Sequence, residues 1–112
     1  MNFYDTIISL VKNGVNVDIT LDADNEVIYD VNTRTKSHMY LLPKEGSKIQ
    51  ILMRYGKTET IDLDDFETEE SILYYLTRIV VFECMYGRAY IGAGWANLAS
   101  KLGINIPKET HL

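Results

Sequence analysis

The chain has 112 residues, 46% of them apolar and 24% charged, with a net charge of −5. This composition fits one globular domain with its own core and excludes a disordered or low-complexity chain. A single cysteine, Cys84, excludes an internal disulfide framework, and the acidic balance makes naked nucleic acid a poor direct partner, because phosphate binding needs clustered Lys and Arg.

The chain opens with Phe3, Ile7, Ile8, Leu10 and Val11 at helical spacing, followed by Gly14 as a stop, which predicts an amphipathic helix over 2–13. The first residues, Met1 to Asp5, carry an acid and no basic cluster, so no secretory signal is expected. Apolar runs such as Ile79–Phe82 fall far short of the roughly 18 residues needed to span a bilayer. The expected location is therefore the cytoplasm of a bacterium or of an infected host cell, with no membrane partner.

Val15, Val17, Ile19 and Leu21 then alternate with Asn16, Asp18 and Thr20, the pattern of a half-buried strand. Asp22-Ala23-Asp24-Asn25 is turn chemistry, and Val27, Tyr29 and Val31 form a second strand, paired with the first as a hairpin. After a polar segment over 32–37, Met39–Leu42 reads as a third strand and Pro43–Gly46 as a turn. Ile49, Ile51, Met53 and Tyr55 mark a fourth strand. Gly56-Lys57 suits a two-residue hairpin loop, and Thr58–Leu63 a fifth strand.

Thr68 is placed to cap a helix whose first turn holds Glu69 and Glu70, acids suited to the positive end of the helix dipole. That helix, reaching Tyr86, is apolar nearly all round, so Leu76, Ile79, Val80 and Phe82 are expected to be buried between the sheet and the last helix. The last helix covers Tyr90–Leu102, with Ile91, Trp95, Leu98 and Leu102 on one stripe and the small residues Ala89, Ala93, Ala96 and Ser100 beside it. Gly103 stops it. The expected fold class is α+β: an N-terminal helix, an antiparallel sheet of four to five strands, and two C-terminal helices packed on the sheet, all in a single domain over 1–112.

No chemical motif is complete. Asp22–Glu26 starts like a calcium loop, but Val27 stands where its glycine belongs and Thr33 where its closing glutamate belongs. His38, His111 and Cys84 have no zinc-ligand spacing. Ser37 and His38 are neighbours on an extended stretch and point to opposite faces, although His38 could meet Asp30 or Asp62. Gly92-Ala93-Gly94 lies inside a helical pattern, where it favours close packing over dinucleotide binding. Leu98–Ile104 is a helix end, since too few residues follow for a recognition helix. The helix–sheet–helix order also resembles a double-stranded RNA-binding domain, but Glu67, Glu69 and Glu70 stand where that module puts phosphate-binding lysines. No catalytic residue, metal ligand or cofactor is expected.

Charge is segregated along the chain. Every charge from Asp18 to Asp30 is acidic, those from Arg34 to Lys57 are basic apart from Glu45, and those from Glu59 to Glu70 are acidic again. The last run joins a strand to a helix, so its carboxylates sit on ordered backbone. Two readings stay open: a solvated edge whose acids suit the helix dipole, or a partner-binding surface formed by Asp62, Asp64, Asp65, Glu67, Glu69 and Glu70, with Tyr74 and Tyr75 beside it, that fits the basic surface of a nucleic-acid-binding protein.

In size, acidity and element order the chain resembles small phage-encoded inhibitors of the anti-CRISPR type. That resemblance implies a compact α+β domain, no enzymatic activity, and an acidic surface that blocks a host protein's nucleic-acid-binding groove. Two alternatives stay open. One is an assembly protein that forms a homo-oligomer, a homodimer being the simplest, through exposed Tyr74, Tyr75, Tyr86, Tyr90 and Trp95. The other is a small-ligand binder or enzyme with a pocket between sheet and helices.

Overall fold

The computed structural model describes residues 1–32, 38–54, 57–87 and 90–107. Helix α1 (Phe3–Lys12) leads into five strands, β1 (Asp18–Leu21), β2 (Val27–Asp30), β3 (Met39–Pro43), β4 (Lys48–Met53) and β5 (Glu59–Asp62). A short 3-10 turn (Leu63–Asp65) precedes the long helix α2 (Glu69–Gly87), and α3 (Ala93–Lys101) follows. The strands lie in sequence order and every neighbouring pair is antiparallel, so β1 and β5 are the two edges. The fold is α+β, with the expected element order and the sheet at its five-strand limit.

Local chemistry explains the boundaries. Asn2 caps α1 by accepting from the Asp5 N–H at 2.9 Å, while Asp5 accepts from the Asn2 N–H. The helix ends where Gly14 takes a positive φ of 89°, with Val15 N–H donating to Leu10 O and Gly14 N–H to Val11 O. α3 stops in the same way, with Ile104 N–H on Ala99 O and Gly103 N–H on Ser100 O. The β1–β2 turn is pinned by Asp22 Oδ1, which accepts the N–H groups of Asp24 and Glu26. At the start of α2, Thr68 Oγ1 accepts from Ser71 N–H and Ser71 Oγ accepts from Thr68 N–H.

The sheet register puts Met39, Leu41, Ile49 and Ile51 on one face, where they meet Leu10 of α1, Leu76 and Val80 of α2, and Trp95 and Leu98 of α3. Trp95 is 1% exposed and its indole N–H donates to Val31 O at 2.6 Å, tying α3 to the end of β2. At Gly94 the backbone of α3 meets the turn after α1 so closely that a Cβ there would lie 2.3 Å from Gly14 O.

Three expectations are corrected. β1 is not half-buried: all four of its residues are exposed, and only Val15 and, partly, Val17 just before it are covered. The reason is that β1 is an edge strand that overhangs the helical layer. Phe82 is 43% exposed, because α2 turns that position away from both sheet and α3; Leu76 and Val80 are buried as expected and Ile79 half-buried. Trp95, expected on an exposed aromatic surface, is core. The polar loop at 33–37, Tyr55 and Gly56 of the fourth strand and its turn, Ala89 of the small-residue stripe and His111 lie outside the described residues.

Two substitutions test this packing by urea denaturation. Gly94→Ala forces a methyl group into backbone that has no room to yield and should cost about 3 kcal/mol or more. Leu76→Ala removes a fully buried side chain and should cost about 2–5 kcal/mol, whereas Phe82→Ala, at an exposed position, should cost far less.

Candidate functional site

The β5–α2 connection carries the acidic run on fixed backbone. Asp62, paired in register with Lys48, caps the 3-10 turn by accepting the Asp64 N–H at 3.0 Å. Ser47 Oγ donates to Asp62 Oδ1 and reaches Asp64 Oδ2 at 3.0 Å. The Ser47 hydroxyl, then the Asp64 N–H, and then the charge of Lys48 hold the Asp62 carboxyl below the ordinary aspartate value.

The remaining acids divide by role. Asp64, Asp65, Glu67 and Glu70 are exposed, and among the described residues none of them has an ion-pair partner. Glu69 is also exposed but accepts a hydrogen bond from Ser9 Oγ, which fastens the start of α2 to α1. Glu69 is therefore part of the scaffold as well as of the charged surface.

The two tyrosines beside the run are not equivalent. Tyr74 is exposed and lies one helical turn after Glu70, with which it lines a shallow hollow together with Thr68 and Ser71. The Arg78 guanidinium sits 5.9 Å from its ring centre. Tyr75 points to another side of α2. Its hydroxyl donates to both oxygens of Glu59 on β5, 2.8 Å to Oε2, and its ring meets Phe66 edge-on. Only Tyr74 borders the acidic surface; Tyr75 clamps α2 to the sheet edge. Next to that clamp, Met53, Lys57, Arg78, Ile79 and Phe82 frame an open groove of about 420 Å³.

A second polar cluster lies on the sheet face opposite the helices. Asp30 pairs in register with Asp18 and with Tyr40. His38 Nδ1 stands 2.7 Å from Asp30 Oδ2, and the His38 ring stacks on Tyr40. Burial raises the Asp30 pKa above the ordinary value, and the nearby Asp18 charge adds to this; His38 and the Asn32 N–H oppose it. Of the two partners that the sequence left open for His38, the structure selects Asp30. A carboxylate that orients an imidazole is half of a catalytic arrangement; Ser37, the nucleophile the sequence sets next to His38, lies outside the described residues.

Other chemistry-bearing groups are occupied. Cys84 is buried, with its sulfur 3.4 Å from Asn32 Nδ2 and 3.7 Å from Tyr90 O. Among the described residues no group of three His, Cys, Asp or Glu side chains is placed to hold a metal ion, and no helix is long and apolar enough to cross a membrane. Sequence reasoning missed Glu83, 1% exposed within α2; its place in an apolar helix gives no sign that it faces inward.

The Tyr75–Glu59 clamp is open to direct titration. The Glu59 hydrogen bond, burial and the Glu59 charge together raise the Tyr75 pKa from 10.0 to about 12. A raised folded-state value adds stability that is complete below the unfolded tyrosine's pKa and disappears as pH rises through about 12. In an absorbance titration of tyrosinate, one tyrosine should titrate near that value. The step should vanish in Tyr75→Phe and fall back toward ordinary tyrosine in Glu59→Gln. No protein-family model, no curated protein and no solved structure matches this chain.

Proposed function

We propose that the chain is a non-enzymatic protein-binding module that presents its β5–α2 corner to a basic groove on a nucleic-acid-handling protein, and inhibits that protein by occupying the groove. The observation that carries this reading is the set Asp64, Asp65, Glu67 and Glu70: exposed carboxylates without ion-pair partners among the described residues, set on a backbone pinned by Asp62, Ser47, Thr68 and Ser71. Clustered negative charges offer a basic groove what a phosphate backbone offers it, and because the backbone that carries them is pinned, docking orders side chains and not the chain. The net charge of −5 steers such a partner in from a distance. Tyr74, exposed beside Glu70, supplies an aromatic contact at the rim of the charged surface.

The test is a charge reversal that spares the scaffold. Asp64, Asp65, Glu67 and Glu70 are changed together to Lys, while Asp62 and Glu69 are kept for their structural hydrogen bonds. Changes at exposed positions should shift stability by about 0.5 kcal/mol or less, and by up to about 1 kcal/mol at Glu70, at the positive end of the α2 dipole, and at Asp64, which gives up the Ser47 hydrogen bond, so the variant should remain folded. Wild-type chain on a resin should retain a nucleic-acid-binding protein from a nuclease-treated lysate, and added duplex DNA should release it. The reversed variant should retain none. Retention by the variant at low salt would reject the acidic corner as the binding surface.

A further inference from the structure

We propose that the outer edge of β1, unpaired among the described residues, accepts a sixth strand, an extended segment of a partner protein in which apolar and basic residues alternate. β1 is an outer strand of the sheet. At the hairpin end the Asp22 N–H donates to Glu26 O, and hydrogen-bonded pairs alternate along an antiparallel ladder. Asp18 and Thr20 therefore turn their backbone groups toward β2, and Ile19 and Leu21 turn theirs outward. Edge strands are commonly guarded by lysine, proline or a bulge. Asp18–Leu21 is short and carries one charge, Asp18, but has no lysine, proline or bulge, and its register with β2 runs without interruption.

The side chains define the chemistry of the incoming strand. Ile19 and Leu21 stand on the helix-side face, 67% and 58% exposed. That face continues through Tyr29, the register partner of Ile19, to Phe3, whose ring meets Tyr29 edge-on and stacks on Tyr4. Tyr4 heads an exposed stripe with Ile8 and Val11 along α1. A strand added to β1 lays every second side chain beside this apolar shelf.

The intervening side chains fall on the opposite face, beside Asp18 and Thr20, with Asp30 next in the row and Asp22, Asp24 and Glu26 at the hairpin end. Those positions call for Lys or Arg. A second copy of the chain fits poorly, because every charged residue from Asp18 to Asp30 is acidic and pairing β1 with its own copy sets like charges together. Strand addition draws affinity from main-chain hydrogen bonds and specificity from alternate side chains. This edge lies across the sheet from β5 and the acidic corner, so either surface can fail its test without the other.

The experiment titrates isotope-labelled chain with a synthetic peptide of about eight residues alternating Lys and Val. Amide exchange should slow at Ile19 and Leu21 and stay unchanged at Asp18 and Thr20, which already bond to β2. A block-ordered peptide of the same composition should bind roughly tenfold or more weakly, and so should the alternating peptide N-methylated at every second residue. The double variant Ile19→Ser, Leu21→Ser changes only exposed positions; it should keep the wild-type thermal midpoint and lose the alternating peptide to a similar degree. Equal binding of block and alternating peptides would overturn the proposal, since charge attraction alone would then explain it. Absence of binding would overturn it too, as would sedimentation of a dimer whose Ile19 and Leu21 amides are protected without peptide.

Discussion

The close approach of two backbones at Gly14 and Gly94 is the constraint on which the arrangement of the helices depends. Gly14 must adopt a left-handed conformation to end α1, and Gly94 must lack a side chain for α3 to reach it. With the two backbones in contact, Lys101 at the far end of α3 donates to Asn13 Oδ1, and the Trp95 indole reaches Val31 O. α1 and α3 are thus locked to each other and to the end of β2, and α2 lies against α3 and touches α1. One consequence is where the helical layer stops. It covers the middle of the sheet and leaves β1 and the β1–β2 turn projecting past it.

That geometry explains which parts of the fold were legible in the sequence. Alternation in Ile49, Ile51 and Met53 and the glycines that end α1 and α3 act over a few residues, so the pattern reports them directly. Val15, Val17, Ile19 and Leu21 show the same alternation, yet the covered part ends with Val17. Periodicity says which side chains share a face; it does not say how far a layer from elsewhere in the chain extends over that face. In α2 the difficulty is reversed. A helix apolar nearly all round gives no direction, so Phe82 looks as buried as Leu76, and the inward turn of Glu83 is invisible.

The candidate surfaces were legible to different degrees. The acidic run is a contiguous stretch, and its ordering follows from lying between a strand and a helix. The division of labour within it depends on contacts distant in sequence: Glu69 with Ser9, Asp62 with Ser47, and Tyr75 with Glu59. The meeting of His38 with Asp30 likewise depends on how β2 and β3 pair. Long-range contacts of this kind separate a carboxylate that holds the fold from one that is available to a partner, and a one-dimensional charge pattern treats both alike.

The hydrogen-bonded Trp95 has a spectroscopic consequence. It is the only tryptophan in the chain, so tryptophan emission comes from one buried site at the junction of α3 and β2. The acidic corner lies at the β5 side of the sheet and the free β1 edge presents Ile19 and Leu21 to solvent, neither in contact with that indole among the described side-chain hydrogen bonds. Occupation of either surface by a tryptophan-free ligand leaves the fluorophore's surroundings as they are, while detachment of α3 breaks the bond to Val31 and admits water. The protein thus carries a built-in reporter that distinguishes binding from loosening of its core.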